Sequence, residues 1–200
     1  PVVAPGYPGR MNDFVHLHLH SQYSVLDGAI RLGDMMPRLK EYGMTSVAVT
    51  DHGNMFGAVD FYKKAGKYGI KPILGVEAYV AEGDRRDKTR SAFHLILLAK
   101  NDTGYANLRK LVSFAYLEGF YYHPRIDLGL LKQHSEGLIG LSACLGGQIA
   151  QSVLKGRPDH ARELARGGLA PIGEAQDGPD LEAVPGRGAG EGVVLRHDRA

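Results

Sequence analysis

Hydrophobic positions along the chain follow two spacings, one typical of strands and one typical of helices. Short apolar or alternating runs predict strands, whereas apolar residues three or four apart predict helices. Glycines at 43 and 69 are well placed to end the first two helices. The predicted strands lie at 14–19, 46–50, 71–80, 93–99 and 137–142, and the predicted helices at 32–42, 56–68, 105–116, a segment ending near 154, and 158–164.

This order predicts an α/β fold in which parallel strands are covered by helices. The sheet is either open or closed into a barrel, and a barrel-like arrangement is favoured. The charged stretch 82–90 interrupts the alternation and is expected to be a solvated loop.

Three segments differ in character. A Pro/Gly-rich flexible start is predicted for 1–13 and a single domain for 14–165. From 166 to 200 the chain is dense in Gly, Ala, Pro, Arg, Asp and Glu and has no apolar periodicity. We expect this tail to be either disordered or the product of a shifted reading frame in a GC-rich gene.

Overall composition limits the class of protein. The 200 residues include 24 basic and 22 acidic side chains, for a net charge of +2, so any contact with DNA has to be local. The single cysteine, Cys144, excludes an internal disulfide, and no secretory signal is recognisable. No apolar run approaches the roughly 20 residues of a membrane span. A cytoplasmic protein without a membrane partner is expected.

The strongest chemical signal is the run of alternating histidines His16, His18 and His20. On a strand, a period of two places the three imidazoles on one face. Neutral imidazole is a good ligand for zinc, manganese or iron. The run therefore predicts a metal site, and His16, deeper in the strand, is the weakest of the three candidates. The alternative is a polar strand face without a metal.

Further candidates follow the later strands. Asp51 and His52 stand where the second predicted strand ends, and Glu77 lies among apolar residues where an unpaired carboxylate would be costly. His94 and Cys144 belong to the next two strand regions. Each of these residues alone is more typical of an ordinary structural position. Their joint placement, with successive strands delivering ligand types to one region, favours a single site.

Five segments carry a resemblance to a known family. Together they closely resemble the PHP (polymerase and histidinol phosphatase) domain, in the branch found in bacterial replicative DNA polymerases, over about residues 14–164. The resemblance implies a distorted (β/α)7 barrel, incomplete here, that holds a cluster of up to three divalent ions. The segments are HLHLHSQYSVLDG (16–28), VTDHGNMFGAVDFYKKA (49–65), IKPILGVEAYVA (70–81), FHLILLAKNDTGYANL (93–108) and GLIGLSACLGG (137–147).

The resemblance also implies roles for individual residues. Glu77 is expected to bridge two ions, and Asp51 to orient an imidazole, so both are assigned to catalysis. Zinc is the favoured metal, with manganese or iron as alternatives. The family's last ligands, in an Asn-Asp-x-His segment, have no counterpart, because His197 and Asp198 do not form that motif. The implied metal ligands are His18, His20, Asp27, His52, Glu77, His94 and Cys144.

The function implied by the resemblance is phosphoester hydrolysis. In a DNA-directed DNA polymerase, a nucleotidyltransferase, it would be a metal-dependent 3′-to-5′ exonuclease acting on primer-template DNA. The sliding clamp and a separate proofreading subunit are the implied protein partners. This chain by itself is not expected to add nucleotides. Two alternatives stay open: a stand-alone phosphatase for a small phosphomonoester, and a non-catalytic, metal-stabilised domain that docks the proofreading subunit.

Other notable residues are interpreted as structural. The basic residues Arg85, Arg86, Lys88 and Arg90 could touch a DNA backbone, but a solvated loop is favoured, and no nucleic-acid-binding residue is assigned. The aromatic residues 120–122 are expected in the core or on a packing surface. His123, His134 and His160 are not expected to be ligands.

Overall fold

The computed structural model describes residues 14–168, so the predicted flexible start at 1–13 and most of the predicted tail lie outside the described residues. Strands and helices alternate over most of this part of the chain. The strands are β1 (Ser46–Val49), β2 (Lys71–Ala81), β3 (Ala92–Ala99), β4 (Phe120–Tyr121), β5 (His123–Ile126) and β6 (Leu138–Leu141). The α-helices are α1 (Leu32–Glu41), α2 (Ala58–Tyr68), α3 (Asp102–Leu117), α4 (Leu128–Gln133), α5 (Gln148–Leu154) and α6 (Pro158–Glu163), and a π-helix covers Leu164–Gly168.

The sheet is mixed and is organised around β2. Strand β2 pairs in parallel with β1 and β5, and antiparallel with β3, which in turn pairs antiparallel with β6. The α/β class is confirmed, but the prediction of parallel strands throughout is wrong. The reason is the connection 82–91, which contains no helix and so lets the chain reverse directly from β2 into β3.

Within residues 14–168 the strands form an open path, β4-β5-β2-β3-β6, with β1 bonded to β2 beside it. This arrangement of a mixed sheet with helices is consistent with part of a PHP-type barrel. Strand β2, the longest, has neighbours on both edges and so forms the rigid centre of the sheet.

The predicted strand at 14–19 is wrong as a regular element. The backbone bends at residues 17 and 18, although it still runs beside β1. The carbonyl of His16 accepts a hydrogen bond from the amide of Ala48 at 2.8 Å, and that of Leu19 accepts one from Thr50 at 2.9 Å. Between these two hydrogen bonds the first segment advances by three residues, from His16 to Leu19, while the segment beside it advances by two, from Ala48 to Thr50. One extra residue on one side is the irregularity of a β-bulge. The period of two is therefore broken between His16 and His18.

Helix boundaries follow local capping chemistry. Gly69 ends α2 with a left-handed φ of 68°, as predicted. Helix α3 begins before the predicted residue 105 because the Asn101 side chain accepts a hydrogen bond from the amide of Gly104. Strands β4 and β5 and helix α4 were not predicted. Helix α4 begins at an Asp127 side chain that accepts from the amide of Leu130 at 2.8 Å.

The two largest sets of buried residues lie on the same, helix-covered face of the sheet. One set of buried residues joins β2 and β3 to α3 and α4, and includes Leu97 and Leu131. Another joins β1 to α1 and α2, and includes Val47 and Phe61. Full burial of each such side chain contributes roughly 1.5–3 kcal/mol. The two sets hold β2 and its neighbouring loops in place.

The loop 82–91 is fastened by the buried guanidinium of Arg125, which is 1% exposed. Arg125 donates to the carbonyls of Gly119, Thr89, Arg85 and Asp87. The expectation of a solvated loop is confirmed for its side chains, which are exposed at 82–90 except for the partly buried Arg85, while its backbone is fastened to Arg125.

Arg85 in the same loop is itself largely covered and pairs with Glu118 and Asp127, while Arg86 pairs with Glu118 and Asp84. These two arginines brace the loop.

Candidate metal centre

A single buried carboxylate gathers most of the predicted ligands. Glu77 on β2 is 1% exposed. One of its oxygens, Oε2, lies 3.3 Å from Nε2 of His18, 3.0 Å from Nε2 of His20 and 3.0 Å from Nδ1 of His52. The other, Oε1, lies 2.9 Å from Nδ1 of His94. We call these five residues the Glu77 cluster.

Backbone pairing explains why three of these residues meet. An isolated parallel bridge joins His52 to Glu77, with hydrogen bonds from the amide of Glu77 to Asp51 and from Gly53 to Glu77. Glu77 faces Ile96 across the antiparallel pair β2–β3, so His94, two residues before Ile96, is its diagonal neighbour. The sheet register thus sets the centre of the cluster.

The first segment contributes two of its three histidines. Nε2 of His18 and Nε2 of His20 lie 3.1 Å apart, and their rings meet edge to face. The prediction that residues two apart share a face holds for this pair. His16 packs edge to face against Phe14 instead, which follows from the bulge described above.

Two predicted ligands stand at the border of the cluster. Asp27 is 56% exposed, and its Oδ2 lies 3.0 Å from Nε2 of His52. The thiol of Cys144 is 3.7 Å from Oε1 of Glu77 and 3.6 Å from Nδ1 of His94. The loop that carries Cys144 is fastened to β3 by a hydrogen bond from the amide of His94 to Gly146.

Asp51 occupies a different position from the one expected. Its buried carboxylate accepts hydrogen bonds from the amide of Ser21 at 2.6 Å and from the hydroxyls of Ser21 and Ser24, both at 2.8 Å. It reaches an imidazole only through Ser24, whose oxygen lies 3.4 Å from Nδ1 of His20. Sequence reasoning missed Ser21 and Ser24. Their burial in the loop after His20 has no signal in the sequence pattern.

The hydrogen bonds around Ser24 favour a proton on Nδ1 of His20. A carboxylate can only accept, so the Ser24 hydroxyl hydrogen points to Asp51. The Ser24 oxygen then accepts from the amide of His52 and from Nδ1 of His20. With an ion bound beside Glu77, a neutral His20 would keep its proton on Nδ1 and offer the lone pair of Nε2 to the ion, whereas in the metal-free cluster Nε2 is protonated and donates to Glu77.

The donor geometry fits a divalent ion. Two ligands about 2.0–2.1 Å from one zinc ion in tetrahedral geometry lie about 3.3 Å apart. The contacts from 3.0 to 3.3 Å around Oε2 of Glu77 are close to that separation. Nδ1 of His52 is buried, and within residues 14–168 it has no hydrogen-bond partner despite its short distance to Glu77. A cation would satisfy this nitrogen.

Without a metal, the cluster behaves as a buried ion-pair network. Burial raises the pKa of Glu77, but hydrogen bonds from His18, His20 and His94 outweigh it and hold that pKa well below its usual range. Burial lowers the pKa of His20, but the hydrogen bond and charge of Glu77 outweigh burial and raise it.

The remaining histidines among residues 14–168 lie outside the cluster. His123 stacks on Tyr79, His134 stacks on Phe114, and His160 lies 3.7 Å from Glu163. Among the aromatic residues 120–122, Phe120 and Tyr122 are 58% and 56% exposed. Of the two places expected for these residues, the core is excluded for Phe120 and Tyr122, and Phe120 lies on a packing surface against Tyr116.

Comparison with known sequences defines the class of domain. The PHP domain family matches residues 16–176, and the chain belongs to that family. The chain is 53% identical over 154 residues to DNA polymerase III subunit alpha of Borreliella burgdorferi, and 51% identical over 174 residues to the subunit of the same name from Thermus aquaticus. These alignments include 74% and 83% of this chain but only 13% and 14% of the relatives.

A solved structure of an amidohydrolase from Chromobacterium violaceum overlaps 50% of this chain and 34% of the amidohydrolase chain, with 25% identity and a TM-score of 0.36.

In the part of the chain that the structure describes, no helix combines the length and apolarity needed to cross a membrane.

Proposed function

We propose that the Glu77 cluster binds divalent ions and that the domain is a metal-dependent phosphoesterase. The observation that carries this proposal is the convergence of three imidazole nitrogens on one oxygen of a buried carboxylate, with a further imidazole on the other oxygen. Glu77 can thereby bridge two ions, one on each oxygen. Zinc suits the imidazole-rich donor set best, and manganese and iron are the alternatives.

Each residue of the Glu77 cluster, and each residue that borders it, has a defined part in this proposal. Glu77, His18 and His20 would hold one ion, and His94 with Cys144, deprotonated to the thiolate, would hold another next to it. Asp27 and His52 would complete the set, and Asp51 would act through Ser24 on His20. When bound, divalent ions lower the pKa of water towards neutrality and offset the charge of a phosphate.

Access to the cluster favours catalysis over a purely structural role. The imidazoles are 20–33% exposed, although the carboxylate between them is buried. A phosphate group can therefore approach from the solvent side while Glu77 stays protected. A closed structural zinc site would leave no such open side.

The relatives suggest the setting in which the site works. The chain spans about one seventh of the length of relatives that are named DNA polymerase III subunit alpha. We propose that it is a segment of such a DNA-directed DNA polymerase and that its site removes nucleotides from the 3′ end of a primer. Contacts with the sliding clamp and a proofreading subunit belong to the same proposal.

The test compares metal binding with hydrolysis. The chain, stripped with a chelator and reloaded with zinc, manganese or iron, is assayed on bis(p-nitrophenyl) phosphate, on p-nitrophenyl phosphate and on a labelled primer-template. Glu77→Gln is expected to weaken metal binding by about 100-fold or more, since even residues that only orient a ligand change affinity 10- to 100-fold. Glu82→Gln, an exposed position beyond β2, is the matched control.

Each rival has its own signature in these assays. Metal binding that depends on Glu77 without any hydrolysis would favour the structural domain that docks a proofreading subunit. Hydrolysis confined to the monoester would favour a stand-alone phosphatase. Equal metal affinity for Glu77→Gln and the unsubstituted chain would refute the site itself.

A further inference from the structure

A line of near-parallel rings leads from the Glu77 cluster to the surface. The rings of His20 and His52 stack at 4.1 Å with an interplanar angle of 14°. Tyr79 follows, 6.0 Å from His52 and inclined by 20°, and His123 lies 4.4 Å beyond Tyr79 at 22°. His123 is exposed, so the last ring of the line faces solvent.

The residue next to His123 is held in an unusual conformation. Tyr122 lies at the reversal between β4 and β5 with a φ of 61°, in the left-handed region that side chains larger than glycine rarely adopt. Such strain costs on the order of 1–3 kcal/mol and is concentrated at functional sites. The phenol ring of Tyr122 is 56% exposed.

A cation accompanies this exposed ring. The guanidinium of Arg90 lies over the Tyr122 ring, 3.9 Å from its centre, and donates a hydrogen bond to the phenol oxygen. Arg90 and the nearby Lys88 take part in none of the ion pairs found in residues 14–168, whereas Arg85 and Arg86 are neutralised by carboxylates. The loop residues whose positive charge has no carboxylate partner in this part of the chain are therefore Lys88 and Arg90, and Arg90 lies next to Tyr122.

We propose that Arg90, Tyr122 and His123 form a stacking platform for the bases of a single-stranded nucleic acid end. This rests on the proposed function, because the platform would hold the strand whose phosphodiester reaches the Glu77 cluster. Aromatic faces stack with any base, and a free guanidinium contacts the backbone phosphates. The platform makes the substrate a polynucleotide end, which distinguishes it from a small phosphomonoester.

The test measures fluorescence anisotropy of a labelled oligothymidylate with the 200-residue chain in the presence of a chelator. Tyr122→Asn is expected to weaken binding about tenfold, the effect of losing one base stack. Because asparagine tolerates a left-handed φ, the melting temperature should not fall. Tyr122→His, which also tolerates that φ and keeps an aromatic ring, is expected to restore most of the affinity.

Phe120→Asn is the matched control. Phe120 lies in the same hairpin, is 58% exposed, and packs at 6.0 Å against Tyr116 on the side of α3. Its substitution is expected to leave oligothymidylate binding unchanged. No binding by the unsubstituted chain, or equal affinities for it and Tyr122→Asn, would overturn the platform and leave the turn as a surface for protein contact.

The platform and the phosphoesterase proposal fail separately. Binding is measured without metal, and hydrolysis of bis(p-nitrophenyl) phosphate by the unsubstituted chain is measured with metal. Tyr122-dependent binding without any hydrolysis would overturn the phosphoesterase proposal alone.

Discussion

Two carboxylates in or beside the Glu77 cluster are buried, whereas two of the predicted ligands are exposed. Glu77 and Asp51 are 1% and 2% exposed and are surrounded by hydrogen-bond partners from several segments. Asp27 is 56% exposed with a single partner, and Cys144 lies on an exposed loop. The buried pair determines where the imidazoles stand, whereas the exposed pair can adjust to an ion. Substitutions should therefore act unequally on the two groups.

The largest effect we expect among the remaining substitutions is that of Ser24→Ala. It removes the hydroxyl between Asp51 and His20 and frees His20 to adopt the wrong tautomer, so zinc affinity should fall 10- to 100-fold. Competition with a chelator measures the affinity, and long-range nitrogen-15 NMR of the zinc-loaded chain reports which nitrogen of His20 carries the proton.

Ser152→Ala is the control for this substitution, because Ser152 is also buried but, within residues 14–168, its hydroxyl bonds only to the carbonyl of Gln148 in α5. A lower melting temperature with unchanged zinc affinity and an unchanged NMR spectrum would show that Ser24 is merely structural.

The pH dependence of the metal-free chain tests the buried carboxylate. The lowered pKa of Glu77 contributes stability above its unfolded value of about 4.3 that is lost on acidification. The raised pKa of His20 contributes stability below about 6.5 that is lost as the pH rises through its folded value. The melting temperature should be highest between about pH 4.5 and 6.5 and fall by a few degrees towards pH 8.

With zinc bound, the melting temperature should no longer fall between pH 6 and pH 8. Protons compete with metal for imidazole nitrogens, so the stabilisation by zinc should grow from pH 6 to pH 8, as estimated from an imidazole pKa of about 6.5. Thermal unfolding with chelator and with zinc measures both profiles. Parallel curves for the two samples would contradict the assignment of these imidazoles as ligands.

The smallest effect is expected for Asp27→Asn. The amide oxygen can keep the contact with His52, and the position is open to solvent, so zinc affinity should fall less than about tenfold. Asp34→Asn, an exposed aspartate in the first turn of α1, serves as the reference for loss of one negative charge. If Asp27→Asn lowered zinc affinity as much as Ser24→Ala does, burial would not distinguish the buried carboxylates from the exposed ligands in their effect on metal binding.

Most features that depend on residues close together in the sequence were predicted correctly, whereas several features that depend on contacts between distant segments were not. Most helix and strand positions follow from apolar spacing and terminal glycines, and His18 and His20 converge because a period of two holds between them. The bulge that removes His16 and the antiparallel turn into β3 arise from pairing between segments. Ser24 and Asp51, 27 residues apart, meet only in the folded chain.

The platform residues illustrate the same limit. Tyrosine has no intrinsic preference for a left-handed φ, so the conformation of Tyr122 is imposed by the paired strands on either side. The sequence shows an aromatic triplet, and only the structure shows which of its rings is exposed beside an arginine.

The guanidinium of Arg125 gives the charged loop 82–91 an unusual property. Because four carbonyls from two segments converge on it, the loop is already ordered before anything binds. Immobilising flexible side chains and loops commonly consumes part of the free energy of association. A ligand that touches Arg90 would meet a preorganised surface, and little conformational entropy would be lost when it binds.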